Sequence, residues 1–292
     1  MGVKRVLVLG SAGQIGTYLV ETLRQRGYIV DEFDIARNEK EDLRIENNSL
    51  LEELVKESDY VFFLAFDVGG SGYLEQYQNS FQFISNNIRL MENTFQILQK
   101  YKKDFVFASS QMSNMTFSTY GVLKLIGEKY VQSLPFGRTV HFWNVYGFES
   151  EIEKFHVISD FAIMAKFNRL IKMRTSGSEL RDFLYAVDCC EALIQIMEKH
   201  QSISKTELLH LTSFKSTSIK QIANIIAGRY KAKIQIGEKS DFVQQDARNQ
   251  ADPFILSLWQ PKTPIEEGIS NILDKIDATY SDPTPFFFIL KR

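Results

Sequence analysis

Gly10, Gly13 and Gly16 follow a strand-like run and open a helix-like one, with Gln14 and Ile15 between the last two. Glycines at this spacing let the backbone approach a pyrophosphate, and the helix N-terminus adds amide donors and partial positive charge. Eighteen residues after Gly16 stands Asp34, whose carboxylate can accept hydrogen bonds from ribose hydroxyls and repel a 2′-phosphate. That favours NAD over NADP, although Arg37 three residues on could serve a 2′-phosphate. Tyr120 and Lys124 stand at i and i+4, on one helical face. An ammonium beside a phenol favours phenolate, so the pair predicts a Tyr120 pKa drawn from ~10 toward neutrality. Such a phenolate can take a proton from a hydroxyl while hydride leaves the same carbon. Ser110 ends a strand-like run, at the edge where open α/β sheets place ligands, and can hydrogen-bond the reacting oxygen. Tyr-x-x-x-Lys alone is a common spacing, so the weight rests on the whole set.

These residues need an alternating α/β chain to bring them together. Apolar runs at Val3–Leu9, Tyr28–Phe33, Asp59–Ala65, Asp104–Ser109 and Arg138–Phe142 read as buried strands. Between them lie helical periods at Gln14–Arg26, Ser49–Lys56, one long helix from about Tyr73 to Lys102, and Tyr120–Ser133. This predicts a Rossmann doubly wound parallel sheet, with a smaller C-terminal α+β lobe after Gly147, where the alternation lapses. The expected division is 1–148, with a return near 182–212, against 149–181 and 213–292.

Composition excludes several classes. The chain has 292 residues, 44% hydrophobic and 24% charged, which fits a globular protein rather than a disordered one. A net charge of −2 argues against a nucleic-acid binder. No apolar run reaches the ~20 residues of a membrane span, and no secretory leader is evident, so a cytoplasmic protein is expected. The two cysteines, Cys189 and Cys190, are adjacent and read as packed helix residues. No metal-ligand cluster stands out.

With the glycine turn, Ser110, Tyr120 and Lys124 in place, the chain resembles an extended short-chain dehydrogenase/reductase of the nucleotide-sugar epimerase/dehydratase family. Further matches are Asp42-Leu43 at the adenine position and Leu64-Ala65 under the cofactor. Asn144-Val-Tyr-Gly147 and Gly177 to Tyr185, with Arg181, resemble the family's substrate-binding stretches. The resemblance implies NAD as cofactor and a nucleotide sugar as substrate. It implies catalysis by Ser110, Tyr120 and Lys124, and a homodimer through the long helix and the helix from Tyr120. Substrate contacts are expected from Gly69, Gly70, Gln111, Asn144, His156, Arg181 and Arg248.

Three departures narrow the chemistry. Gln111-Met112 follows Ser110 where sugar 4,6-dehydratases of this family carry an acidic pair. Only nine residues separate Ser110 from Tyr120, which reshapes the sugar end. Asp67-Val-Gly69-Gly70 and His156-Val-Ile resemble GDP-fucose synthase and GDP-mannose 3,5-epimerase, tilting the reading toward a GDP-linked sugar. Those enzymes use a cysteine where Gln111 stands, and an amide cannot donate and regain a proton. The expectation is therefore redox at C4, giving net dehydrogenation or C4 epimerisation, with His156 not needed for proton transfer at carbon. A 4-keto-sugar reductase and a non-catalytic dinucleotide sensor are the alternatives.

Overall fold

The computed structural model describes residues 4–239 and 250–291. Its first strands are β1 (Arg5–Leu9), β2 (Ile29–Phe33), β3 (Tyr60–Phe63), β4 (Asp104–Ser110) and β5 (Gly137–Phe142). The helices among them are α1 (Gln14–Gln25), α2 (Ser49–Glu57), α3 (Ser71–Tyr77), α4 (Phe81–Tyr101) and α5 (Thr119–Ser133). The later strands are β6 (Asn144–Tyr146), β7 (Leu170–Lys172), β8 (Leu180–Tyr185), β9 (Leu209–Leu211), β10 (Ser216–Ser218) and β11 (Lys233–Gln235). The later helices are α6 (Val157–Asn168), α7 (Ala186–Glu198), α8 (Ile219–Tyr230), α9 (Ile265–Thr279) and α10 (Phe287–Lys291).

Six strands pair in parallel in the order β2-β1-β3-β4-β5-β9. Successive strand side chains point to opposite faces, and here both faces are covered. Val6, Val8, Tyr60, Phe62 and Val106 pack with Leu19 and Leu23 of α1 and Leu193 of α7. Leu7, Leu9, Val61, Phe63, Phe105 and Phe107 pack with α2, α4 and Val131 of α5. That double burial is why these strands read as unbroken apolar runs.

The smaller lobe has its own core, built by α6, α8, α9 and Phe286 around Ile171 and Phe183. It holds β8 between parallel β6 and antiparallel β10, and a separate β7–β11 pair. Of the expected return, α7 and β9 rejoin the main layers, whereas β8 belongs to the smaller sheet. No helix among the described residues is long and apolar enough to cross a membrane.

The single helix expected from Tyr73 to Lys102 is instead two, α3 and α4, broken at Gln78–Ser80. Ser80 caps α4 by accepting from the Phe83 amide. Gln78 Oε1 accepts from the Ser118 hydroxyl at 3.0 Å and the Tyr120 amide at 3.3 Å, and Asn79 takes the Thr119 hydroxyl. The break thus grips the start of α5, the helix that carries Tyr120. Helical period alone does not reveal it, because these partners lie forty residues away.

A buried and a half-buried histidine predict acid sensitivity. Burial pushes His200 and His210 from 6.5 to about 4. A histidine depressed in the folded state contributes stability above its unfolded value, and this is lost as pH falls from 6.5 toward 4. The Tm is expected to drop through that window, and less so in His210→Gln. A Tm independent of pH there would refute this.

Candidate active site

A groove of about 450 Å³ opens along the C-terminal ends of the parallel strands. Gly10, Gly13, Gln14, Ile15 and Gly16 line one end. Gly10 has φ +88°, a left-handed conformation that favours glycine, and a Cβ there would lie 2.7 Å from the Ala65 amide nitrogen. A Cβ on Gly16 would collide with the Gly10 carbonyl oxygen. Gly13 caps α1 in an extended conformation. The backbone therefore forms a cradle no side chain fills, at a helix N-terminus, which suits the pyrophosphate of NAD.

Asp34 follows β2 at the groove wall. Its carboxylate accepts from the amides of Ala12 and Ala36, both at 2.9 Å. Arg37, weighed above for a 2′-phosphate, is instead bound to Glu32 at 2.6 Å. Glu41, unremarked in the sequence, also lines the wall and accepts the Asp34 amide at 2.9 Å. Asp42 and Leu43 line it too, with Asp42 bonded to Arg44 at 2.8 Å. With Asp42 paired to Arg44 and Arg37 to Glu32, the remaining charges on this stretch of the wall are the carboxylates of Asp34 and Glu41, which make a 2′-phosphate unwelcome. NAD(H) should therefore bind more tightly than NADP(H), and Asp34→Ala should narrow the gap. Titration giving equal or tighter NADP(H) binding would sink this expectation.

At the middle of the groove, Leu64 and Ala65 follow β3, and Tyr120 and Lys124 face in from α5. Tyr120 is not drawn toward neutrality in this structure, which corrects the expectation above. Burial pushes its phenol up to about 12, and the Ser110 hydroxyl's hydrogen bond only partly opposes that. Lys124 is itself buried, which pulls its ammonium well below the usual lysine range. Its Nζ donates to the Ala108 carbonyl at 2.6 Å rather than to Tyr120. Sequence spacing brings the pair together but cannot show how dry the site is.

Toward the smaller lobe, His156 caps α6 and lines the groove. Its Nδ1 lies 2.5 Å from Glu149, a buried carboxylate that also accepts the His156 amide and the Ser159 hydroxyl. Burial opposes charge on His156, but the Glu149 charge and hydrogen bond outweigh it and raise the imidazole above its ordinary value. Glu149 was not singled out from sequence; it stands seven residues before His156.

The other expected substrate residues are placed differently. Gly69 and Gly70 lie outside the groove wall. A Cβ on Gly69 would lie 3.1 Å from Lys154 Cα, one on Gly70 would strike the Phe155 carbonyl oxygen, and the Gly70 amide donates to Lys154 at 3.0 Å. Close packing against the chain that presents His156 explains these glycines. Gln111 donates to Asn144 at 3.3 Å, beside but not in the wall. Arg181 is buried on β8, with its guanidinium on the Leu180 carbonyl. Arg248 lies outside the described residues.

A parallel sheet in this order, with a glycine turn between β1 and α1, defines a Rossmann-type α/β protein. The chain belongs to the NAD dependent epimerase/dehydratase family, whose pattern matches residues 6–211. It is 27% identical over 261 residues to a UDP-N-acetyl-alpha-D-glucosaminuronate decarboxylase of Bacillus cytotoxicus, covering 76% of this chain and 79% of that one. It is 23% identical to a GDP-L-fucose synthase of Sinorhizobium fredii, covering 96% and 97%. Among solved structures, a GDP-6-OMe-4-keto-L-xylo-heptose reductase from C. jejuni superposes with a TM-score of 0.80 at 17% identity, covering 96% and 100%. At that identity the superposition speaks to the fold.

Proposed function

We propose that the chain is an NAD-dependent oxidoreductase that oxidises the C4 hydroxyl of a nucleotide-activated sugar to a 4-keto sugar. The observation that carries this is the pair Tyr120 and Lys124 lining the groove between a dinucleotide cradle and the His156 end, with the buried Ser110 hydrogen-bonded to the Tyr120 hydroxyl from behind the wall. NAD, when bound, supplies the hydride acceptor and a positively charged ring. Ser110 holds the substrate oxygen, and Tyr120 as phenolate takes its proton. When Lys124 carries its proton, its charge favours the Tyr120 phenolate. The outcome is net dehydrogenation, or C4 epimerisation when hydride returns to the other face.

A GDP-linked sugar is favoured by the Asp67–Gly70 resemblance alone, since the glycines there are accounted for by packing. A second reading, decarboxylation of a nucleotide-linked uronic acid, is favoured by the Glu149–His156 pair. Loss of carbon dioxide beside a C4 ketone leaves a carbanion that needs one proton, which one acid can supply.

Native mass spectrometry of the purified protein should show bound NAD(H). Incubation with GDP- and UDP-sugars in heavy water then separates the readings. C4 redox puts no deuterium at C3 or C5, and His156→Asn lowers turnover by well under the ~10²-fold of a lost general acid or base. Decarboxylation puts one deuterium at C5 and fails in His156→Asn. No turnover of any nucleotide sugar, with NAD still bound, would favour the sensor.

We further propose a homodimer through the face of α4 and α5, with Phe81 at the start of α4 83% exposed and Phe117, just before α5, 59% exposed. Phe81→Asp should sediment as a monomer in analytical ultracentrifugation; a wild type already monomeric at micromolar concentration would overturn this.

A further inference from the structure

We propose that Phe66 is a positioning residue of the active site, its ring face favouring the charged form of Lys124 beside Tyr120 against the burial that opposes it. This rests on the reading of Tyr120 and Lys124 as the proton-transfer pair. Lys124 Nζ lies 3.6 Å from the centroid of the Phe66 ring, 5.2 Å from Phe107 and 5.8 Å from Tyr120. Lys124 is 3% exposed, and among the described residues it forms no ion pair. The Glu128 charge, one turn along α5, favours the charged Lys124 through space, but its oxygens are committed to the Ser109 hydroxyl at 2.5 Å and to His141 at 3.1 Å.

A buried ammonium without a paired carboxylate sheds its proton rather than stay charged. An aromatic face carries negative charge density and attracts a cation within ~6 Å, more strongly where water is excluded. The Ala108 carbonyl and the Phe66 face thus add, at contact distance, to the through-space pull of Glu128. Phe66 is fixed for this role. Its ring meets Tyr120 edge-on at 5.7 Å and packs beside Leu74, Phe83 and Leu123. It reaches Lys124 because it follows Leu64-Ala65 at the end of β3, at the groove wall. An aliphatic side chain of similar size keeps water out but offers no such charge. Lys124 then loses its proton at lower pH, and Tyr120 loses the charge that opposes its burial.

The test reads Lys124 directly in the free protein. NMR of [13Cε]lysine-labelled protein, with the Lys124 resonance assigned by its loss in Lys124→Arg, gives the titration midpoint. Phe66→Leu should move that midpoint down by about one pH unit, roughly tenfold in the acid constant. Phe66→Tyr, which keeps the ring, should leave it in place. If the amide spectrum shows Phe66→Leu to be misfolded, Phe66→Met takes its place with the same expectation. An unmoved midpoint in the aliphatic variants, or an equal shift in Phe66→Tyr, overturns the proposal. No turnover enters this measurement, so it stands apart from the question of whether Tyr120 is the base, which Tyr120→Phe answers.

Discussion

Tyr120→Phe is expected to fold and bind NAD(H) like the wild type while turnover falls by ~10²–10⁴-fold. The phenylalanine keeps the ring that meets Phe66 edge-on and loses only the hydroxyl that Ser110 contacts. Because burial holds that hydroxyl near 12, the active phenolate is scarce at neutral pH in the free protein. Wild-type turnover should therefore rise with pH as Tyr120 ionises, and this rise should vanish in the variant. Retention of more than about a tenth of wild-type turnover would remove Tyr120 as the base. A steady-state assay with the nucleotide sugar that turns over, across pH 6 to 10, reads both effects.

Gly16→Ala should weaken NAD binding by about 10- to 100-fold, the equivalent of the ~1–3 kcal/mol typical of overpacking. The new Cβ would meet only backbone: the Gly10 carbonyl, and Ser11 Cα at 2.8 Å. None of those atoms can swing aside, so the turn must open and the pyrophosphate cradle widens. Gly228→Ala is the control, since a Cβ there meets nothing within 4 Å and Gly228 lies inside α8. It should leave NAD binding alone and raise stability by up to ~1 kcal/mol. Calorimetric titration of both variants decides the matter, and wild-type affinity in Gly16→Ala would refute the cradle.

Much of the architecture was legible because its determinants are local. Val6 to Leu9 is apolar on both strand faces, and the glycine turn sits beside it in sequence. Leu208–Leu211 reads as a strand in the sequence and is β9, whereas the three residues of β7 are too few to show a period and β10 is Ser-Thr-Ser. The site was legible where a motif is contiguous, as in Tyr120 to Lys124. It was illegible where a partner comes from elsewhere in the fold. Glu41 behind Asp34, Glu149 behind His156 and Phe66 over Lys124 become visible only once the chain has folded. The direction of the Tyr120 shift failed for the same reason, because spacing encodes neighbours and not dryness.

The edge of the main sheet has a consequence for synthesis on the ribosome. β5 takes its outer partner from β9, with Val140 opposite Leu209 and Phe142 opposite Leu211. At ~5–20 residues per second, β9 emerges several seconds after β5. Through that interval the nascent sheet ends in an unpaired strand, the kind of edge that recruits other chains. Charged or proline substitutions that slow or weaken the pairing of Leu209–Leu211 should therefore show first as loss of soluble yield, before any change in the chemistry of the groove.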